Sequence, residues 1–295
     1  MKQLLVLASV FALTSSAALQ SRAHAQEDEP PPLSAGTSEG YPANFTQRPI
    51  TLPAMTLKAD LAFAAIHLGG AADNGFLLNL GGAFGILDDL EVGISGDRQG
   101  LNNGVGFSAV GGIAGNGLVP FVLAPDFDFG DIYLYGRYRF LNTESFQLGV
   151  ELGFNIPTAT NFGLVVAAPF RLRLGEIFSL DGGIEFLTLL TDPDATFALR
   201  ATLQPRLAPV DFLYFGVDLG VGYGFGNGDP IAIPLGFEAG YVIDMDKIKI
   251  DAYLNFSFPV LYGSLNIGPG GRQGDTAPEF WQLLIGARAF IGLGD

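Results

Sequence analysis

The sequence predicts an all-β fold, a transmembrane antiparallel up-and-down β-barrel of twelve strands, and three observations carry that prediction. From about residue 57 onward apolar residues recur at every second position, with most of the charge between them, as in Ile248-Lys249-Ile250-Asp251-Ala252-Tyr253-Leu254-Asn255-Phe256. Side chains alternate faces along a strand, so one face suits hydrocarbon and the other water. These stretches run to about ten residues and more, beyond the mode of about 5 to 6 for soluble strands and enough to cross a bilayer at a tilt. Finally, tight turns alternate with long connections, the asymmetry of outer-membrane barrels, which have short periplasmic turns and longer extracellular loops.

Taken in order, the chain opens with a short basic start, Met1-Lys2, an apolar run from Leu4 to Leu13, and Ala23-His24-Ala25 as an A-x-A cleavage site. Residues 1–25 therefore read as a secretory signal peptide, the apolar run being too short for an anchor. Residues 26–50, with Glu27-Asp28-Glu29-Pro30-Pro31-Pro32, are acidic and Pro-rich and read as an extended periplasmic tail with no site of its own. Residues 51–295 are the barrel. Its strands fall at about 54–67, 76–86, 89–96, 131–141, 145–156, 163–174, 177–190, 196–207, 211–223, 231–243, 247–260 and 279–293. The connections Leu87-Asp88, Asn142-Thr143-Glu144, Gly175-Glu176, Ala208-Pro209-Val210 and Asp244-Met245-Asp246 are tight, whereas 97–130 and 261–278 are long. An even strand number puts both termini in the periplasm and the long loops outside the cell.

Composition agrees with an outer-membrane location. There are 41 Gly, 25 Phe and 9 Tyr, and 15% of residues are charged against about 25% in soluble domains. Aromatic strand formers suit an interfacial girdle, and outer-membrane lipid is the expected partner of the apolar face. With no cysteine, disulfides, thiolate metal sites and thiol nucleophiles are excluded. A formal net charge of −15 offers no footprint for nucleic acid.

With apolar residues outward, the lumen-facing parity holds Arg137, Arg139, Arg171, Arg173, Arg200, Arg206 and Arg288 together with Glu151, Asp181, Glu185, Asp218, Glu238 and Asp251. Lys58, Lys249, Asp60 and Glu91 share that parity, and most other acidic residues lie in the tail, loops and turns. Two arrangements fit. Either Arg171, Arg173, Arg200 and Arg206 form a basic stripe facing Asp181, Glu185 and Glu151 across a narrow pore, or the same groups pair into a buried network that fills the barrel. Twelve strands lie between filled eight-stranded and open sixteen-stranded barrels, and since width grows with strand number this favours the stripe lining a restricted pore.

The connection 97–130 is apolar for a loop, with Gly104-Val105-Gly106-Phe107 and Val119-Pro120-Phe121-Val122-Leu123. It either folds over the mouth and offers an apolar contact to a solute or extends the barrel wall. Catalysis has little to stand on. The one histidine after residue 25 is His67, followed by Leu68-Gly69-Gly70 with no serine beside it for acyl transfer. No cofactor or metal motif is present, and the chain does not read as an enzyme.

Several segments resemble a known family. Arg48-Pro49-Ile50-Thr51-Leu52-Pro53, the hairpin Phe84-Gly85-Ile86-Leu87-Asp88-Asp89-Leu90-Glu91-Val92-Gly93, the strand Gly130 to Phe140, and Ile156-Pro157-Thr158 are similar to bacterial outer-membrane transporters of the phenol-degradation MetA-pathway type. That resemblance implies an outer-membrane location and uptake of small, often aromatic, compounds. The sequence thus leads to a passive channel or transporter for small, hydrophobic or aromatic solutes, with the outer-membrane assembly machinery as a further partner. The alternative is a non-conducting structural or adhesive barrel that acts through its extracellular loops.

Overall fold

The computed structural model describes residues 41–67, 75–94, 119–124, 128–129, 132–156, 162–189, 197–225, 231–245, 247–263 and 281–294. The signal peptide, residues 26–40 of the tail and positions 97–118 of the long connection lie outside the described residues.

A single antiparallel sheet closes on itself. Its strands are β1 (Thr56–His67), β2 (Gly75–Leu87), β3 (Leu90–Gly93), β4 (Val119–Ala124), β5 (Asp128–Phe129), β6 (Ile132–Asn142), β7 (Phe146–Ile156), β8 (Gly163–Arg173), β9 (Phe178–Leu189), β10 (Phe197–Val210), β11 (Leu213–Phe225), β12 (Ile231–Met245), β13 (Ile248–Gly263) and β14 (Trp281–Gly292). Strand β1 pairs with β14 from Thr56↔Gly292 to His67↔Trp281, and with β2 on its other side. The β1–β14 closure removes the free edges of the first and last strands, as a lipid environment requires. Twelve strands make the wall, as the periodicity predicts, and β4 and β5 supplement it.

One part of the wall departs from the predicted strand pattern. The third strand, expected over 89–96, is four residues long and covers only the lower half of β2, Ala83 to Leu87. The upper half, Phe76 to Leu80, pairs instead with β4 from the long connection, and β5 pairs with β4. Residues 119–124 thus extend the wall. Their apolar, β-branched content suits a strand as well as it suits a mouth cover.

The two faces separate sharply. Leu61, Phe63, Leu152, Ile184, Leu203, Phe215, Leu219, Phe237, Leu254 and Ile285 are exposed on the outside, whereas the charged residues of the opposite parity are buried. An exposed apolar belt of this extent on a barrel is a lipid-facing surface. Inward tyrosines lie flat over glycines of neighbouring strands, Tyr133 across Gly153 and Tyr214 across Gly240. A Cβ at either glycine would collide with the ring. Both chain ends of the wall, Thr56 and Gly292, share the end that carries the tight turns.

Candidate functional site

The tight-turn end of the barrel is occupied by the chain's own residues 41–54. Tyr41, Phe45, Arg48, Ile50 and Leu52 are all buried. The expectation of a featureless tail up to residue 50 therefore does not hold for 41–50, which are folded into the lumen. Composition misread them because Pro42, Pro49 and Pro53 resemble a linker, whereas here they hold an extended chain whose backbone donors are few.

The way this segment is held differs from the way a strand is held. A short 3-10 turn, Phe45–Gln47, is capped by Asn44, whose side chain accepts from the Thr46 N–H. Beyond it, alternate main-chain N–H groups donate to wall side chains: Ile50 to Gln147 Oε1 (2.9 Å), Leu52 to Glu91 Oε2 (2.7 Å) and Ala54 to Asp88 Oδ1 (3.0 Å). Its carbonyls accept from arginines. Arg137 donates to Ile50 O (2.7 Å), Arg173 to Gln47 O (2.9 Å) and Arg48 O (3.1 Å), and Arg171 to Arg48 O. At the turns, Asn44, Thr46 and Gln47 donate to the Glu176 carbonyl. Among the described residues, no main-chain to main-chain bond ties 41–52 to a strand; the first is Met55 N–H to Gly85 O at 2.8 Å. Side chains of the wall meet the buried peptide groups that a ladder would otherwise satisfy.

Arg48 is the centre of the contact. Its guanidinium forms a two-pronged ion pair with Asp251 of β13, with Nη2 to Oδ1 at 2.8 Å. Nε donates to Pro42 O (3.0 Å) and Nη2 to Ala43 O (3.3 Å). The rings of Tyr41, Phe45 and Phe290 stand 5.1, 5.1 and 5.0 Å from its central carbon. Tyr41 stacks on Phe290 of β14 at 4.6 Å and Phe45 on Tyr214 of β11 at 4.2 Å. Burial opposes the charge on Arg48, but the Asp251 carboxylate outweighs it and holds the guanidinium pKa above its ordinary value.

Behind the segment lie the charges singled out in the sequence, arranged as pairs. Arg137 bonds Glu151 through Nε (3.0 Å) and Nη2 (2.8 Å) and stands 3.3 Å from Glu91. Arg171 grips Asp181 with two contacts of 2.6 Å, and Arg200 pairs with Glu185. These three pairs are direct cross-strand partners, Arg137↔Glu151, Arg171↔Asp181 and Arg200↔Glu185. Arg206 reaches Glu238 (3.0 Å) and Asp218 (3.5 Å), Asn255 donates to Asp218 (2.8 Å), and Arg288 spans Asp60 (3.7 Å) and Glu238 (3.5 Å). Arg139 meets Asp89 at the turn, 2.7 Å away, and Arg173 is half-buried against the segment. Each of these arginines except Arg139 and Arg173 thus faces carboxylates deep in the barrel, so the basic stripe is interleaved with acids and does not stand alone. Opposed charges at this depth need such partners.

His67 is at the other end, its ring 5.5 Å from Trp281. Among the described residues no group of three His, Cys, Asp or Glu side chains is placed to hold a metal ion. Sequence reasoning missed Tyr41, Phe45, Arg48, Gln147 and Tyr214. The available signal was a cluster of one arginine and two aromatic residues in a stretch otherwise acidic and Pro-rich.

No protein-family model and no curated protein sequence matches the chain. Among solved structures it is similar to the COG4313 outer membrane channel from Pseudomonas putida F1, at 12% identity over 90% of this chain and all of that one with a TM-score of 0.49. It is also similar to the KdgM porin in complex with disordered oligogalacturonate, at 8% identity over 78% of this chain and 97% of that one, TM-score 0.48. The NanC porin shares 8% identity over 78% of this chain and 98% of its own, with a TM-score of 0.51. At that identity the NanC likeness speaks to fold, and the fold is an outer-membrane β-barrel.

Proposed function

We propose that the protein is an outer-membrane channel for small solutes, closed in this structure by residues 41–54, and that solutes pass when the segment leaves the lumen. One observation carries the proposal: the segment is tied to the wall through side chains, so it can detach without breaking a rung of the barrel ladder. The tight-turn end faces the periplasm in this reading, by the rule that short turns lie on that side. The segment is therefore a periplasmic closure, continuous with the acidic stretch 26–40. The aromatic side of the expected solute range is supported by the stacked pair Tyr133 and Tyr135, buried on the inner wall with centroids 5.8 Å apart.

A second reading has its own observation. Arg200–Glu185 and Arg206–Glu238 are buried ion pairs in which both members belong to the wall, as expected of a wall filled by its own side chains. In that reading the barrel is structural and does not conduct. Planar-bilayer currents of the chain 26–295, compared with the chain begun at residue 55, separate the two. Larger and more frequent steps after removal of the segment support the channel. Silence from both samples supports the structural barrel.

A further inference from the structure

We propose that the pocket filled by Arg48 is a recognition site for guanidinium-bearing solutes, built on the wall by Asp251 and Phe290, with Tyr41 and Phe45 adding to it only while the segment is docked. This rests on the reading of residues 41–54 as a detachable closure that occupies a site meant for a ligand.

The geometry points to that ligand class. Asp251 is fully buried on the inner side of β13, and among the described residues Arg48 is the one cation paired with it. Neighbouring lumen carboxylates have arginines from the wall itself: Asp181 has Arg171, Glu185 has Arg200 and Glu238 has Arg206. Asp251 alone among these four is neutralised by a group that belongs to the segment. When the segment leaves, Asp251 loses its paired cation, and the wall cation opposite it in the β13–β14 register, Arg288, is already shared between Asp60 and Glu238, a state that favours uptake of another cation. The carboxylate is met by a planar fork, and that fork lies against three aromatic faces, Phe290 from the wall and Tyr41 and Phe45 from the segment. A guanidinium satisfies both features at once, because it is flat, bidentate and weakly hydrated; an ammonium is a compact point charge that does not. A solute carrying that group competes with Arg48 for Asp251, and its binding favours the released segment.

The test is a chemical rescue in the otherwise intact chain 26–295, folded in detergent. Arg48→Ala removes the side-chain atoms that ethylguanidinium replaces, and chymotrypsin cleavage after Phe45 reports how often the segment is out. Arg48→Ala should raise the cleavage rate about tenfold or more, as loss of one member of a buried ion pair does. Millimolar ethylguanidinium should restore resistance, and ethylammonium at the same concentration should not. In Arg48→Ala/Asp251→Asn, which leaves no lone buried charge and is expected to fold, ethylguanidinium should have no effect. Equal protection by the two cations, protection that survives Asp251→Asn, or no protection at all would overturn the site. This readout needs no conduction, so a failed rescue and a silent channel are separate results.

Discussion

The barrel wall and the segment 41–54 bury peptide groups in the same structure by opposite means. In the wall the peptide groups meet the next strand in a main-chain ladder that closes through β1 and β14. In the segment, Ile50, Leu52 and Ala54 donate to Gln147, Glu91 and Asp88, while Arg137, Arg171 and Arg173 donate to its carbonyls. A ladder is cooperative and breaks only with the fold. A set of side-chain contacts is released without it, and that difference makes one region a scaffold and the other a closure.

The comparison can be broken most strongly at Asp251. Asp251→Ala strands the Arg48 charge, a loss of about 3 to 5 kcal/mol for a buried pair. If the two regions are independent, that loss is capped by release of the segment: heat-modified gel mobility of the barrel should stay that of the folded form while chymotrypsin sensitivity at Phe45 rises. Unfolding of the whole barrel would merge the two regions into one cooperative unit.

The opposite cut falls on the wall. Leu254→Arg places a charge on the lipid face, where Leu254 is exposed, and near the midplane should cost about 2 to 4 kcal/mol of folding stability. Urea refolding into lipid vesicles measures it. A neutral outcome would contradict the assignment of faces.

Smaller changes sharpen the picture. Phe45→Ala removes the stack on Tyr214, worth about 0.5 to 1.5 kcal/mol beyond burial, and should speed cleavage of the segment by the broad-specificity proteinase K several-fold while urea refolding stays unchanged. Arg173→Ala should have the least effect, about 1 kcal/mol or less, because this guanidinium is only half-buried and one of its two segment acceptors, the Arg48 carbonyl, is also served by Arg171. Its cleavage rate should lie between those of the unmodified chain and Phe45→Ala.

Much of the wall could be read from local pattern. The alternation in β13, where Ile250, Ala252 and Leu254 face one way and Lys249, Asp251 and Tyr253 the other, needs only the geometry of one strand. The short third strand could not be read that way. Whether Val92-Gly93-Ile94 or Val119-Pro120-Phe121 pairs with the upper half of β2 is a contest between two apolar partners, and pattern does not rank them. Arg171 and Asp181 both show inward parity, but their direct opposition depends on the β8–β9 register. The site was less legible still. Arg48 sits in a Pro-rich stretch, and its partners Asp251, Phe45, Tyr41 and Phe290 are drawn from both ends of the chain.

By itself, then, the sequence determined an outer-membrane barrel of twelve strands, its outward apolar face and the parity that carries its charges, because each follows from a period of two and from strand length. Only the tertiary structure decided that the charges meet as pairs, that residues 119–124 extend β2, and that residues 41–54 turn inward. Periodicity is a property of neighbours along the chain. Occupancy of the lumen is a sum of contacts between strands hundreds of residues apart, such as the 203 positions that separate Arg48 from Asp251, and no local signal encodes that sum.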